Sequence, residues 1–301
     1  MFDLSTTANR LETHLEKLTI DIGERSIRFQ ENLEKTVRYI EDFYLGLDLH
    51  VERETYQYRD FEVSNVISCL PAKEKPSLSY ILGAHYDSVV GTVGADDNAS
   101  AIAVQMETAR ELTAHFTQHH LPNKVKFVSF ALEEPPTFGT RYMGSRVHAK
   151  GCKRKKERLD GMICLEMVGY TCCDPGCQKY PFPLMFMDYP KSGDFIGIVG
   201  NLRSKELTNG LYRSFKKNSS LPVVKLTVPM GGYSLPAVGL SDHSSFWHHG
   251  YKAVMITDTA FYRNPHYHRP TDTMDKLNYD FMAQLVKSLV INMGNLEQGL
   301  L

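Results

Sequence analysis

Acids and histidines recur in this chain at one kind of place, the end of an apolar run. LSYILGA leads into His85 and Asp87, KVKFVSFAL into Glu133 and Glu134, and GMICL into Glu166. KAVMIT is followed by YHRPTDT, which holds His268. The stretch GAHYDSVVGTVGADDNASA adds Asp96, Asp97 and Asn98, with glycines at 83, 91 and 94 that let backbone swing around a bound ion. Carboxylates gathered at one edge repel and raise each other's pKa unless a cation sits among them. A metal ion is the simplest such cation, and these are the side chains that bind hard or borderline metals.

Elements must bring these residues together. Apolar runs at 51–70, 78–84, 124–132, 161–168 and 252–257 read as strands. Helical spacing appears within 10–47 (Leu11, Leu15, Leu18, then Val37, Ile40, Tyr44) and over 98–116, 139–150, 203–217 and 279–297. Strands alternating with helices predict an α/β three-layer sandwich, a mixed, largely parallel central sheet flanked by helices. In such sheets the ligand crevice lies beyond the carboxyl ends of the strands, where these acids fall. In FVSFALEEPPT, strand alternation predicts that Glu133 and Glu134 point in different directions, and Pro135 and Pro136 then end the strand. No linker or repeat divides the chain, so residues 1–301 are expected to form one domain.

HYDS, GADDNASA, the paired glutamates, LEMVGY, SDHSSF and YHRPTDT follow one another in the order and spacing of the M28 zinc aminopeptidases, the family of bacterial leucyl aminopeptidases. The chain resembles that family from about residue 80 to 275. The resemblance implies a zinc-dependent exopeptidase fold, shared with the glutaminyl cyclases, and two zinc ions per chain. Carried over position by position, His85 and Glu166 bind the first zinc, Glu134 and His268 the second, and Asp96 bridges them. A cis peptide is expected at Asp96–Asp97. Asp87 orients the His85 imidazole. Glu133 is the general base that moves a proton from the activated water to the leaving amine. Many relatives carry aspartate where this chain has Glu166. Asp242 or His243 is expected to line the substrate pocket, and Met167, Tyr170, Tyr233, Phe246 and Tyr267 are candidates to shape its apolar part.

The implied activity is removal of N-terminal residues from a peptide or small amide with a free N-terminus. Glutaminyl-peptide cyclotransfer on one zinc is the alternative, and a non-catalytic binding module is a third reading. Cyclases of that fold typically place a tryptophan before the last histidine ligand, where this chain has Tyr267.

Bulk properties narrow the classes. Of 301 residues, 42% are hydrophobic and 23% charged, which suits a globular protein with a sizeable core. A net charge of -1 provides no global field for nucleic acid or anionic lipid, and Lys153-Arg154-Lys155-Lys156 reads as a solvated loop. No apolar stretch reaches signal-peptide or membrane-span length, so a cytoplasmic protein is expected unless a leader was removed. Nothing in the composition selects an oligomeric state.

Three other features receive plain readings. Cys172, Cys173 and Cys177 lack the regular fourth ligand of a zinc knuckle and read as thiols or one local disulfide. His115 and His119, an i, i+4 pair in HFTQHH, read as histidines favoured by the negative end of a helix, not as a zinc site. Ser241-Asp242-His243 cannot act as a catalytic triad, because adjacent side chains do not reach that geometry.

Overall fold

The computed structural model describes residues 2–70, 78–116, 121–182, 185, 187–229 and 235–294. Eight strands form one sheet: β1 (His50–Tyr58), β2 (Phe61–Cys69), β3 (Ser79–His85), β4 (Lys124–Phe130), β5 (Gly161–Glu166), β6 (Ile196–Asn201), β7 (Val223–Val228) and β8 (Ala253–Thr257). Their spatial order is β1-β2-β4-β3-β5-β8-β6-β7. β4, β3, β5 and β8 run parallel, as do β6 and β7, while β1–β2, β2–β4 and β6–β8 are antiparallel. The mixed sheet of the α/β sandwich is as expected. β6 and β7 went unread in the sequence: IGIVGN carries two glycines, and VVKLTV has no clean alternation of buried and exposed positions.

The helices are α1 (Leu4–Glu16), α2 (Gln30–Leu45), α3 (Ala101–His115), α4 (Gly144–Arg154), α5 (Lys205–Phe215), α6 (His243–His248) and α7 (Tyr279–Gly294). β3 and β5 are buried on both faces, and their side chains divide between two cores by the period of two. Leu82, Ala84, Ile163 and Leu165 join the core packed by α1, α2, α3, α5 and α7. Ile81, Met162 and Cys164 join the core under α4 and α6 with Phe130, Ala149 and Phe246. Burying a leucine such as Leu11 or Leu15 completely contributes about 1.5–3 kcal/mol.

After β3 the chain crosses to β4 on one side and then to β5 on the other. The carboxyl end of β3 is therefore a topological switch point, where the sheet leaves a crevice. His85 is the last residue of β3, and Glu166 is the last of β5. The paired glutamates depart from expectation. β4 stops at Phe130, and the chain leaves the ladder through Ala131 and Leu132, the latter at φ 56°. Strand alternation therefore does not set the directions of Glu133 and Glu134, and the Pro135–Pro136 pair, joined by a cis bond, lies beyond the turn.

Candidate metal centre

His85, Asp97, Glu133, Glu134, Glu166 and His268 converge at this switch point. Two groups of potential ligands are compact: His85, Glu133 and Glu166, and Asp97, Glu134 and His268, each with its ligand atoms within 4.8 Å of one another. Asp97 joins them. Its Oδ1 lies 3.4 Å from His85 Nε2, and its Oδ2 lies 3.2 Å from His268 Nε2. Glu166 Oε2 stands 3.4 Å from His85 Nε2, and Glu134 Oε2 stands 3.3 Å from His268 Nε2. Each side thus has one histidine, one glutamate and one oxygen of Asp97. Glu133 Oε2, at 3.8 Å from His85 Nε2, stands slightly farther out.

The expectation that Asp96 takes the middle position is corrected. Asp96 turns away from both histidines. Its Oδ1 accepts from the Gly169 amide at 2.9 Å, and its Oδ2 accepts from Asn264 Nδ2 at 2.7 Å. The cis peptide is likewise one position later, at Asp97–Asn98. A loop causes the shift: Asp97 (φ -105°, ψ 85°) and Asn98 (φ -138°, ψ 32°) are non-helical between Gly94 and the start of α3.

Asp87 holds the paired glutamates more directly than it holds the imidazole. Its Oδ1 and Oδ2 accept the amides of Glu133 and Glu134, each at 3.0 Å. His85 Nδ1 is 3.1 Å from the Asp87 main-chain oxygen and 3.4 Å from its Oδ1. Glu166 is fixed by Ser241, whose hydroxyl donates to Oε2 at 2.6 Å. Three residues beside ligands adopt left-handed backbone: Leu132, Met167 (φ 47°) and His268 itself (φ 56°). Such conformations persist in non-glycine residues only where the surroundings enforce them.

The electrostatics are those of a site arranged around cations. Burial, with repulsion from Glu166 and Glu134, holds the Glu133 pKa well above the carboxylate range, although the His85 charge opposes this. Burial and Asp97 push Glu134 up to about 8. Burial opposes a charged His268, but its bonds to Asp97 and Glu134 outweigh that and raise it to about 10. His85 is likewise raised, because Glu133 and Glu166 overcome its burial. Acids and imidazoles crowded in one buried place shift in this way, and a cation among them would relieve the crowding. Glu134 Oε1 is buried with no hydrogen-bond partner among the described residues. Imidazole with carboxylate is a donor set suited to zinc.

An apolar pocket opens beside Glu166, with Tyr180, Phe195, Val199, Leu226, Met255 and Tyr267 in its wall. Tyr267 is stacked on His268, with ring centroids 3.8 Å apart. Of the residues expected at a substrate pocket, Tyr267 lines this apolar pocket, whereas Asp242, His243 and Met167 do not line it and are fully buried. His243 Nε2 bonds the Val238 carbonyl at 2.7 Å, and its ring meets Trp247 edge-on. Burial first, with Glu166 and Asp87 nearby, raises Asp242 to about 7. Met167 is turned inward, its amide donating to Asn98 Oδ1 at 2.9 Å. Phe246 belongs to the core under α4 and α6, and Tyr233 and His119 lie outside the described residues. Cys172 and Cys177 form a disulfide at the base of the excursion that supplies Tyr180 to the pocket, and Cys173 is free and exposed. No helix among the described residues is long and apolar enough to cross a membrane.

Sequence reasoning missed Asp97 as the shared residue and Ser241 as the partner of Glu166, although both lie in quoted motifs, GADDNASA and SDHSSF.

Known proteins share sequence and fold with this chain. An uncharacterized Escherichia coli (strain K12) protein, YfbL, is 36% identical over 95% of this chain and 87% of its own length. A probable leucine aminopeptidase of Trichophyton verrucosum (strain HKI 0517) is 26% identical over 75% of this chain, which spans 55% of that relative's length. Among solved structures, BSAP, a zinc aminopeptidase from Bacillus subtilis, superposes with a TM-score of 0.70 at 14% identity over 94% of both chains. Porphyromonas gingivalis glutaminyl cyclase superposes at 0.67 and 14% identity over 98% of both. At these identities the two structures establish the shared fold alone. The family model for peptidase family M28 matches residues 65–292, three quarters of the sequence, and the chain belongs to that family.

Proposed function

We propose that the protein is a zinc aminopeptidase that removes an apolar N-terminal residue from a peptide or small amide. One observation carries the reading: Asp97 sets one carboxylate oxygen beside His85, which Glu166 also approaches, and the other beside His268, which Glu134 also approaches. His85, Glu166 and Asp97 Oδ1 would hold one ion, and Asp97 Oδ2, Glu134 and His268 a second. Zinc held this way supplies Lewis-acid polarisation of a carbonyl and lowers the pKa of water.

The remaining work belongs to the protein. Glu133 takes a proton from the attacking water and delivers it to the departing amine. Glu133 stands slightly outside the nearest oxygens around His85, a position from which a carboxylate can hold that proton between the two events. Asp87 keeps Glu133 and Glu134 in register by binding both of their amides. The first side chain of the substrate enters the apolar pocket, where Tyr267 and Met255 exclude water. Glutaminyl cyclisation is the competing reading. A second ligand group and an apolar pocket wall favour hydrolysis, since cyclisation in this fold uses one ion and must accommodate a polar glutamine side chain.

The test is a panel of aminoacyl anilides assayed on protein stripped with chelator and then supplied with zinc. The expected result is zinc-dependent hydrolysis, with leucine and phenylalanine anilides cleaved at higher kcat/KM than glutamate or lysine anilides. Inactivity toward the whole panel, with pyroglutamate formed from an N-terminal glutamine peptide, contradicts the reading.

A further inference from the structure

Arg25 lies between α1 and α2, ahead of the part of the chain that matches the family model, and is completely buried. A buried guanidinium is costly unless its donors are satisfied, and one opposite a cluster of acids would ordinarily pair with a carboxylate. Every hydrogen-bond acceptor of the Arg25 guanidinium among the described residues is instead a main-chain carbonyl. Nε donates to Tyr86 O at 2.8 Å, and Nη1 reaches Leu18 O, Gly23 O and Val93 O at 3.0, 3.1 and 2.7 Å. Nη2 donates to Gly94 O at 2.9 Å. The Arg25 amide also donates to Ser88 Oγ at 3.1 Å, and that hydroxyl donates on to Thr92 O at 3.0 Å. One side chain therefore gathers carbonyls from both ends of the loop that leaves His85 and arrives at Asp97.

The other face of the same loop is held through its amides. Asp272 Oδ1 accepts from Asp96 N at 2.9 Å, Oδ2 accepts from Asp97 N at 3.1 Å, and Asp272 O accepts from Ala95 N at 3.3 Å. Asp272 lies four residues beyond His268, so it ties the Asp97 loop to the loop of the other histidine. There is no slack between the two holds. Gly94 sits at φ 52°, and a Cβ there would meet Asp97 O at 2.2 Å and Ser88 Cβ at 2.7 Å.

We propose that Arg25 and Asp272 are positioning residues that clamp residues 93–97 from opposite faces, by carbonyls on one side and amides on the other, and so place the shared Asp97 carboxylate for zinc. Arg25 also puts a fixed positive charge behind the acids without competing for any carboxylate oxygen. Asp87, Asp272, Asp97 and Glu134 keep that charge in place against its burial, with a pKa of about 10.

The zinc part of this inference rests on the proposed function; the clamp itself does not, and the experiment separates them. Arg25→Lys, Arg25→Met and Asp272→Asn are compared with wild type by hydrogen exchange of the metal-free protein and by zinc competition against a chromophoric chelator. The expected result for Arg25→Lys is at least about tenfold faster exchange confined to residues 86–99, and zinc affinity lowered about 10–100-fold, the range for groups that hold a ligand in place. Asp272→Asn, which keeps one oxygen acceptor, shifts both in the same direction by less. Variants that fold and keep wild-type exchange over 86–99 overturn the clamp. Faster exchange with zinc affinity within twofold of wild type overturns its role toward the metal. If Arg25→Met fails to fold, Arg25→Lys, which retains the charge and reaches some of the carbonyls, decides by the same two readings. Wild-type protein that takes up no zinc overturns the metal assignment while the exchange result still judges the clamp.

Discussion

Replacing Glu133 by glutamine separates a proton carrier from a ligand at a position that geometry places close to both roles. Glu133 Oε2 is 3.8 Å from His85 Nε2, against 3.4 Å for Glu166 Oε2 and for Asp97 Oδ1. The histidine is therefore already flanked by two nearer oxygens. The amide variant is isosteric, and the Glu133 main chain stays anchored on Asp87 Oδ1 at 3.0 Å. Burial disfavours a charged carboxyl at this position and glutamine is neutral, so the metal-free fold should be about as stable. Turnover should fall by the contribution of a positioned base, about 10²–10⁴-fold, equivalent to roughly 2.7–5.5 kcal/mol of barrier. Zinc affinity should stay within a few-fold, while Glu134→Gln and Glu166→Gln lose it. The assay is leucine-anilide turnover alongside zinc content by elemental analysis after gel filtration. Zinc loss from Glu133→Gln equal to that from Glu134→Gln would falsify the division of labour, as would unchanged turnover.

Three further outcomes are expected. Asp97→Asn should lower zinc binding about 10²-fold or more. Asp96→Asn, which disturbs the bonds to Gly169, Asn264 and Asp258, should cost about 1–3 kcal/mol of stability with little change in zinc affinity. Calorimetry and thermal melts distinguish the two, and equal zinc loss in both contradicts the placement of Asp97. Between about pH 6.5, the unfolded value, and about 10, folded metal-free protein retains the His268 proton that the unfolded chain loses. Its stability should therefore fall with rising pH, by up to about 1.4 kcal/mol per pH unit per retained proton, and Glu134 at about 8 adds the same sign from about pH 4.5. Zinc displaces those protons, so saturated protein should lose this slope, and a metal-free thermal midpoint that rises from pH 6 to 9 sinks the argument. Leu226→Trp, which narrows the apolar pocket, should raise KM for leucine and phenylalanine anilides more than for the alanine anilide; equal effects on all three place the substrate side chain elsewhere.

How legible the site was depends on what kind of partner each residue has. His85 and Glu166 could be read because an apolar run that stops on a charged residue marks a strand end, and both are the last residues of their strands. Glu133 and Glu134 were found for a partly mistaken reason. The ladder ends at Phe130, and Asp87, not the pleat, orders the two glutamates. Asp96 and Asp97 were indistinguishable in sequence because an irregular loop has no period, so a one-residue error carries no internal contradiction. Arg25 was invisible for a different reason. An arginine in GERSIRF reads as surface charge, and main-chain carbonyl partners leave no trace in residue types. Asp242 and His243 illustrate the converse: polar residues in a suggestive motif that turn out to be buried beneath the site.

In the zinc aminopeptidase proposed here, Asp97 is shared between two metal positions. Zinc titration of chelator-stripped protein, with bound metal and leucine-anilide turnover followed together, tests it most directly. Wild type is expected to take up two equivalents, with activity that depends on that uptake, and Asp97→Asn is expected to lose both. Uptake of none, or of a single equivalent with glutamine cyclisation and no anilide hydrolysis, contradicts it.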